Sequence, residues 1–216
     1  MKAKFIQKVM AGALAMTLVI APAVRVQASD TGNTGASSSE STEEQVEEIT
    51  GVSIAEIPTT SSVAGVRTTV RGVYLATVVN GSVITTPLNT IAAGYGLTAG
   101  ETPYARIYNM DVKKSPLAAA ALNSVAQSVG ATVGPYVNVE LGKMSNGKFG
   151  LLPSDGAEIT VSFGIPASFA QSGKTFAVAC VRPGGAVSIL QDVDDNPNTV
   201  TFNTTGGQGA YAIIRY

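Results

Sequence analysis

The feature that most constrains this chain is a two-residue alternation of apolar and polar side chains. Residues 136–143 alternate valine or leucine with asparagine, glutamate and glycine, and in residues 158–165 Ile159, Val161 and Phe163 alternate with polar or small residues. Such a pattern buries one face of a strand and leaves the other in water. The sequence therefore predicts half-buried strands here. Further strands are predicted at 175–181, 186–190, 199–203 and 210–216, with a central strand, apolar on both faces, at 73–79.

Turn signals separate these segments at short intervals. Asn80-Gly81 and Asn146-Gly147 each stand between two apolar runs, and Asn-Gly accepts the positive φ angles that a two-residue hairpin requires. Further glycine- and proline-containing turns are predicted at 155–156, 183–185 and 194–197. The sequence thus predicts a mainly β fold, an antiparallel β-sandwich of immunoglobulin-like or barrel-like form.

One α-helix is expected to interrupt the strands, at about residues 116–129. Ser115 is suited to cap its first turn, Pro116 occupies the first helical position, and Gly130 provides a stop. Its apolar stripe, which includes Leu117 and Leu122, is expected to lie on one end or face of the sheet. Residues 87–95 could form a second, shorter helix.

The amino terminus is typical of a secretory signal peptide. Lys2, Lys4 and Lys8 precede a short apolar run, and Val26-Gln27-Ala28 has the small or apolar residues that favour cleavage after Ala28. The alternative is an uncleaved anchor, but the apolar run is short for a membrane span. We therefore expect residues 1–28 to be a signal peptide and the mature chain to lie outside the membrane.

The next segment, residues 29–48, is rich in serine, threonine, glycine and glutamate and has almost no aliphatic side chains. Such a composition cannot bury enough apolar area to offset the entropy of ordering, so a disordered acidic linker is predicted. It could also serve as a tether that holds the domain away from a cell surface. The folded domain is then expected within residues 49–216.

Composition excludes several classes of site. The chain contains no histidine, and its single cysteine, Cys180, cannot form an intrachain disulfide. Catalytic triads with histidine and histidine-metal sites are therefore excluded, and Cys180 is expected to be a buried small apolar residue on its strand. The whole chain has 14 basic and 15 acidic residues, which gives no basic surface for nucleic acid. No cofactor is predicted.

The sequence has one oxygen-rich cluster, formed by Asp192, Asp194 and Asn196. Alternate carboxylate and amide oxygens could coordinate calcium. However, Pro197 and Asn203 stand where an EF-hand-like loop requires glycine and glutamate. A solvated turn is the favoured interpretation, and a calcium site is the alternative.

Two further sets of residues could carry function. Five tyrosines could line a recognition patch or could be half-buried packing residues: Tyr74, Tyr95, Tyr104, Tyr108 and Tyr136. Alternatively, Glu140 paired with Glu158 or Asp111 could act as two catalytic carboxylates, as in glycoside hydrolases.

Residues 158–216 resemble a recurrent module. Ile159-Thr160-Val161-Ser162-Phe163-Gly164-Ile165-Pro166 and the later segments 174–178, 187–192, 196–202 and 209–213 are similar to the end of β-sandwich domains in surface proteins of clostridia and related Gram-positive bacteria. Small secreted clostridial proteins look similar over most of the folded domain. The resemblance implies a stalk or adhesive role and carries no catalytic residues. Many surface relatives end in a sortase signal, which is absent from this sequence.

These observations predict a non-enzymatic protein that is secreted or associated with the cell envelope. It would serve as an adhesive, structural or binding module for an extracellular ligand, either a glycan or a protein. The alternative is an extracellular carbohydrate-active hydrolase that uses paired carboxylates.

Overall fold

The structure of the protein is a computed structural model that describes residues 58–216. The predicted signal peptide (1–28), the predicted linker (29–48) and residues 49–57 lie outside this range. Neither helix within 58–216 has the length and apolar character needed to cross a bilayer.

The described chain is mainly β, as predicted. Its strands are β1 (Ser62–Val63), β2 (Val66–Arg67), β3 (Arg71–Leu75), β4 (Ser82–Ile84), β5 (Glu101–Asn109), β6 (Thr132–Ser145), β7 (Lys148–Leu151), β8 (Ile159–Gly164), β9 (Phe176–Val181), β10 (Val187–Gln191), β11 (Thr199–Thr204) and β12 (Gly207–Arg215). Its helices are α1 (Leu88–Gly94) and α2 (Pro116–Ser128).

The strands form three sheets. The largest has the order β10-β9-β12-β6-β5-β3, with β7 also paired to β6; a second has the order β11-β8-β4; and β1 pairs with β2. The prediction of a purely antiparallel fold is wrong for one pair, because β3 runs parallel to β5 with Tyr74 opposite Ile107. The other pairs within the described residues are antiparallel.

The two larger sheets contribute to one core cluster. Val137, Val139 and Leu141 of β6 and Val161 and Phe163 of β8 are all buried in it. The alternation that predicted these two strands therefore marks the faces that are removed from water, as expected for half-buried strands.

Helix α2 packs on the opposite face of the seven-stranded sheet. Leu122 and Ala126 are buried against a floor of small residues that includes Ala177, Ala179 and Ala212. Alanine on both surfaces allows the helix to approach the strands closely. Pro116 is at the helix start, as predicted, and Gly130 follows its end with a positive φ of 70°.

Two details of the prediction for the helix at 116–129 are wrong. Ser115 makes no side-chain capping hydrogen bond. Leu117 does not face the sheet, since it is 85% exposed. The second, shorter helix considered for residues 87–95 is confirmed, because residues 88–94 form α1, which buries Ile91 in the core cluster that the two larger sheets share.

The predicted central strand at 73–79 is instead a strand at the end of the sheet order. β3 ends at Leu75. It pairs with one strand, β5, while its other side is hydrogen-bonded by Pro58 and Thr59, which accept from the amides of Tyr74 and Gly72. Tyr74 faces the core whereas its neighbours are half-buried on the other face, so apolar character on both faces does not require two neighbouring strands.

The two Asn-Gly turns differ. Asn146 and Gly147 have φ angles of 51° and 74° and join β6 to β7 in the predicted hairpin. Asn80-Gly81 does not close a hairpin, because β3 and β4 belong to different sheets. The Asn80 amide donates instead to the carbonyl of Gly164, at the end of β8.

Candidate functional site

The face of the seven-stranded sheet that carries α2 is only partly covered by the helix. Residues of β9 and β12 lie under α2. On β5, β6 and β7, the residues that point to this side alternate with core residues, and they form a mixed aromatic and charged surface. We call this surface the open face; it comprises Tyr104, Arg106, Tyr108, Glu140 and Phe149.

Direct contacts join the open-face residues. The Tyr108 hydroxyl donates a 2.7 Å hydrogen bond to Glu140 Oε1, and Arg106 lies 3.1 Å from Glu140 Oε2. The Arg106 guanidinium also stacks 5.3 Å from the centre of the Phe149 ring, which meets Tyr104 edge-to-face at 6.0 Å. Each of these side chains is therefore held in a fixed orientation by another member of the group.

The environment keeps Tyr108 in its hydrogen-bond-donating form. Burial raises the pKa of its hydroxyl well above the ordinary tyrosine value, and the hydrogen bond to Glu140 raises that pKa further. Glu140 in turn lies between a phenol and a guanidinium, with its side chain 14% exposed. The pair of Glu140 and Arg106 is thus internally neutral, yet its edge remains accessible.

A groove of about 540 Å³ borders the open face, between the first half of α2 and the sheet. We call it the Tyr108 groove. Its volume is typical of small-molecule sites. Its lining is small and apolar toward the helix and polar toward the sheet. The lining includes Leu117 and Ala121 of α2 and, on the sheet, Tyr108, Asn138, Glu140 and Gln208.

The register of the strands arranges the polar lining in two rows. Gln208 of β12, Glu140 of β6 and Arg106 of β5 lie opposite one another across the sheet. In the adjacent row, Asn138 lies opposite Tyr108. Within residues 58–216, the side-chain amides of Asn138 and Gln208 make no hydrogen bond to another residue, so both remain able to bind a ligand.

The structure separates the five tyrosines of the predicted patch. Tyr104 and Tyr108 are together on the open face. Tyr74 is buried in the core, and its hydroxyl donates to the Val70 carbonyl at 2.6 Å. The other two also have structural partners: Tyr95 donates to Ala157 O and Tyr136 donates to Asn123 Oδ1 on α2. The recognition patch is therefore reduced to two tyrosines, joined by Glu140, which the sequence suggested only as a catalytic carboxylate, and by Arg106 and Phe149.

The carboxylates considered as a catalytic pair are not brought together. Glu140 is on β6 and Glu158 precedes β8, and each points away from the core cluster that their two sheets share. Asp111 lies in the turn after β5, where its Oδ1 accepts the Lys113 amide at 2.9 Å. Glu140 therefore faces neither of its predicted partners.

The residues of the predicted calcium alternative form a chain of turns. Asp194 Oδ1 accepts the Asn196 amide at 2.9 Å, and Asp192 Oδ1 accepts the Thr201 amide at 2.9 Å. Burial raises the pKa of the Asp192 carboxyl above its ordinary value. A second groove, of about 530 Å³, lies beside this loop. In the described part of the chain, no group of three or more histidine, cysteine, aspartate or glutamate side chains is placed to hold a metal ion.

Cys180 is buried in the core, as predicted, and is 1% exposed. Burial raises the pKa of its thiol, which disfavours the reactive thiolate. Its surroundings indicate a packing role rather than a nucleophilic one.

Sequence reasoning did not identify Arg106, Phe149, Asn138 or Gln208. A usable signal existed, because Tyr104, Arg106 and Tyr108 recur at every second position of one segment. Comparison with protein-family models, with curated proteins and with solved structures finds no match to this chain.

Proposed function

We propose that this protein is a non-enzymatic extracellular binding module, secreted or associated with the cell envelope, whose ligand occupies the Tyr108 groove and the adjoining open face. The observation that carries the proposal is the contact between Tyr108 and Glu140, at 2.7 Å, on the border of a groove in which two side-chain amides are free to bind. Convergent polar groups in a partly apolar concavity are typical of binding sites.

The rigidity of the site supports binding rather than chemistry. Glu140 is engaged by both Arg106 and Tyr108, and among residues 58–216 no second carboxylate lines the groove. A fixed, neutral arrangement lowers the entropy lost when a ligand is bound. General acid-base catalysis would instead require a proton donor and acceptor on opposite sides of a substrate.

The amino-terminal sequence supports an extracellular location. Three lysines, a short apolar run and Val26-Gln27-Ala28 form the pattern of a cleaved secretory signal. The acidic segment that follows would then separate the folded domain from an attachment point. The proposed role also agrees with the resemblance of residues 158–216 to modules of Gram-positive surface proteins.

We further propose that the two larger sheets form a β-sandwich. The contribution of both sheets to one core cluster supports this arrangement, since Val139 of β6 and Val161 of β8 are buried in the same cluster. In a sandwich, the open face would be one of two outward surfaces, and the Tyr108 groove borders it.

The proposal is tested by binding to purified cell walls and extracellular polysaccharides, with the mature chain from residue 29 onward. Sedimentation with the insoluble fraction is expected for the wild-type protein and is expected to fall at least tenfold in Tyr108→Ala. Glu158→Ala, directly before β8 of the other sheet, is the matched control. Release of soluble products from any polysaccharide would favour the hydrolase alternative and would contradict the proposal.

A further inference from the structure

The chemistry of the Tyr108 groove restricts the kind of ligand that it can accept. We propose that this ligand is a neutral saccharide, an inference that rests on the binding function proposed above.

Both guanidinium groups at or beside the groove already donate hydrogen bonds to groups of the protein itself. Arg106 is paired with Glu140 at 3.1 Å. The Arg182 guanidinium donates to Gly206 O at 2.6 Å, to Thr204 Oγ1 at 2.7 Å and to Thr205 O at 3.0 Å. Lys113 and Lys114 lie in the turn before α2 and do not line the groove. An anionic ligand would therefore have to compete with these internal hydrogen bonds for the guanidinium donors while it loses its own hydration, which is unfavourable.

The free polar groups are those that recognise hydroxyls. The amides of Asn138 and Gln208 each offer two donors and one acceptor, and the Glu140 carboxylate has lone pairs beyond those used by Tyr108 and Arg106. Gln208 and Glu140 are directly opposed on neighbouring strands. The Cβ atoms of such a pair are typically about 5 Å apart. Two such groups can bind adjacent hydroxyls of one sugar ring, because each hydroxyl both donates and accepts.

The aromatic surface continues beyond the groove. Tyr108 presents a half-buried ring at the border of the groove, and Tyr104 is four residues away on the same side of β5. That spacing corresponds to roughly 13 Å along a strand. The apolar C–H face of a pyranose packs on such rings, and the distance leaves room for more than one sugar unit. An oligosaccharide bound in the groove can therefore extend across the open face.

The test titrates isotope-labelled mature protein with neutral cello-, xylo-, chito- and manno-oligosaccharides and follows amide chemical shifts. At least one neutral series is expected to shift the resonances of Asn138, Gln208 and Tyr108. Asn138→Ala and Gln208→Ala are each expected to weaken that binding by about tenfold, the loss of one to two hydrogen bonds. Gln208 is exposed, so its substitution should leave the thermal unfolding midpoint unchanged. Glu158→Ala serves as the control.

Two outcomes separate the inference from the proposed function. If anionic oligosaccharides or peptides shift the groove resonances and no neutral saccharide does, the inference is overturned while the binding function stands. If a mixture of all these probes and solubilised cell-wall fragments leaves the groove resonances unmoved, the groove is not a binding site and both proposals fail.

Discussion

The backbone amide of Gly206 donates a 2.7 Å hydrogen bond to the hydroxyl of Tyr95, a residue 111 positions earlier in the chain. The same hydroxyl donates to the Ala157 carbonyl at 2.6 Å. One side chain, located directly after α1, thereby joins the loop before β8 to the loop between β11 and β12.

Replacement of Tyr95 by phenylalanine should therefore destabilise the fold. Two backbone groups lose their partner while the ring is retained, and we expect the free energy of unfolding to fall by about 2 kcal/mol. Chemical denaturation monitored by circular dichroism measures this change. Tyr104→Phe is the matched control, because the Tyr104 hydroxyl makes no hydrogen bond within residues 58–216, and its effect should be close to zero. Equal losses in the two variants would contradict the assigned role.

Gly72 permits the close approach of β3 and β5. A Cβ atom at this position would collide with the backbone carbonyl oxygen of Ala105 on the paired strand. Gly72→Ala should thus lower the free energy of unfolding by on the order of 3 kcal/mol, as expected for an overpacked contact that cannot relax. Gly150→Ala is the control, since its Cβ would meet nothing within 4 Å. Denaturation midpoints of the two variants should differ clearly, and similar midpoints would exclude a steric role for Gly72.

Buried tyrosines predict a loss of stability at alkaline pH. Burial raises the pKa of Tyr74 to about 12, and burial also raises the pKa of Tyr211. The unfolded chain ionises near the ordinary tyrosine value of about 10. The unfolded state releases these protons at a lower pH than the folded state does. The contribution of the buried tyrosines to stability is therefore fully present below pH 10 and should decrease as the pH rises toward 12.

Tyrosinate absorbance and circular dichroism, followed together against pH, should show ionisation of the buried tyrosines coinciding with unfolding. The stability of Tyr74→Phe should fall less steeply at alkaline pH than that of the wild-type protein. At neutral pH its free energy of unfolding should be lower by about 1 kcal/mol, because the hydrogen bond to the Val70 carbonyl is lost. Ionisation of every tyrosine in a chain that stays folded would contradict the assignment.

Asp192 is predicted to oppose folding slightly at neutral pH. Burial raises the pKa of its carboxyl despite the amides of Thr201 and Asp194 that donate to it. Its ionised form is therefore less favourable in the folded than in the unfolded chain. Asp192→Asn removes the charge but keeps an acceptor oxygen for the two amides. The variant should therefore unfold at a higher temperature than the wild type at pH 7. The difference should shrink as the pH falls to about 4, where the wild-type carboxyl becomes protonated.

Calcium provides the complementary experiment on the same loop. If the loop is a solvated turn, calcium should leave the unfolding temperatures of the wild type and of Asp192→Asn unchanged. A calcium-dependent rise in the wild type that is lost in the variant would establish the calcium alternative for Asp192, Asp194 and Asn196.

Cys180 should react with a thiol reagent only after the protein unfolds. The side chain is 1% exposed, and burial raises the pKa of the thiol. Labelling followed by mass spectrometry in native buffer and in denaturant measures the difference. Rapid modification of the native protein would show that the strand carrying Cys180 opens readily.

The strands whose pairing is decided by local pattern were predictable from the sequence. β6 and β8 follow from the alternation around Val139 and Val161, and the β6–β7 hairpin follows from Asn146-Gly147, because the turn needs positive φ angles that these residues accept. Whether a segment forms a strand or a helix depends on the spacing of its buried side chains, and that spacing can be read from neighbouring residues.

β5 and the partners of β3 and β4 could not be derived in the same way. Pro103 interrupts the apolar alternation of β5, and proline normally argues against a paired strand. The Asn80-Gly81 signal specifies a local backbone bend at Gly81 but not which sheet receives the next strand. The candidate site was missed for a related reason: Arg106 and Glu140 are 34 positions apart in sequence and meet only through the register of β5 and β6.

The position of β12 governs when this molecule can finish folding. The strand lies between β6 and β9, so Tyr211 is flanked by Val137 on one side and Cys180 on the other. Until β12 is synthesised, β6 and β9 have no shared neighbour, and each exposes a row of backbone amides and carbonyls. A chain without β12 therefore has two unpaired strand edges, and the seven-stranded sheet is complete only once β12 is in place.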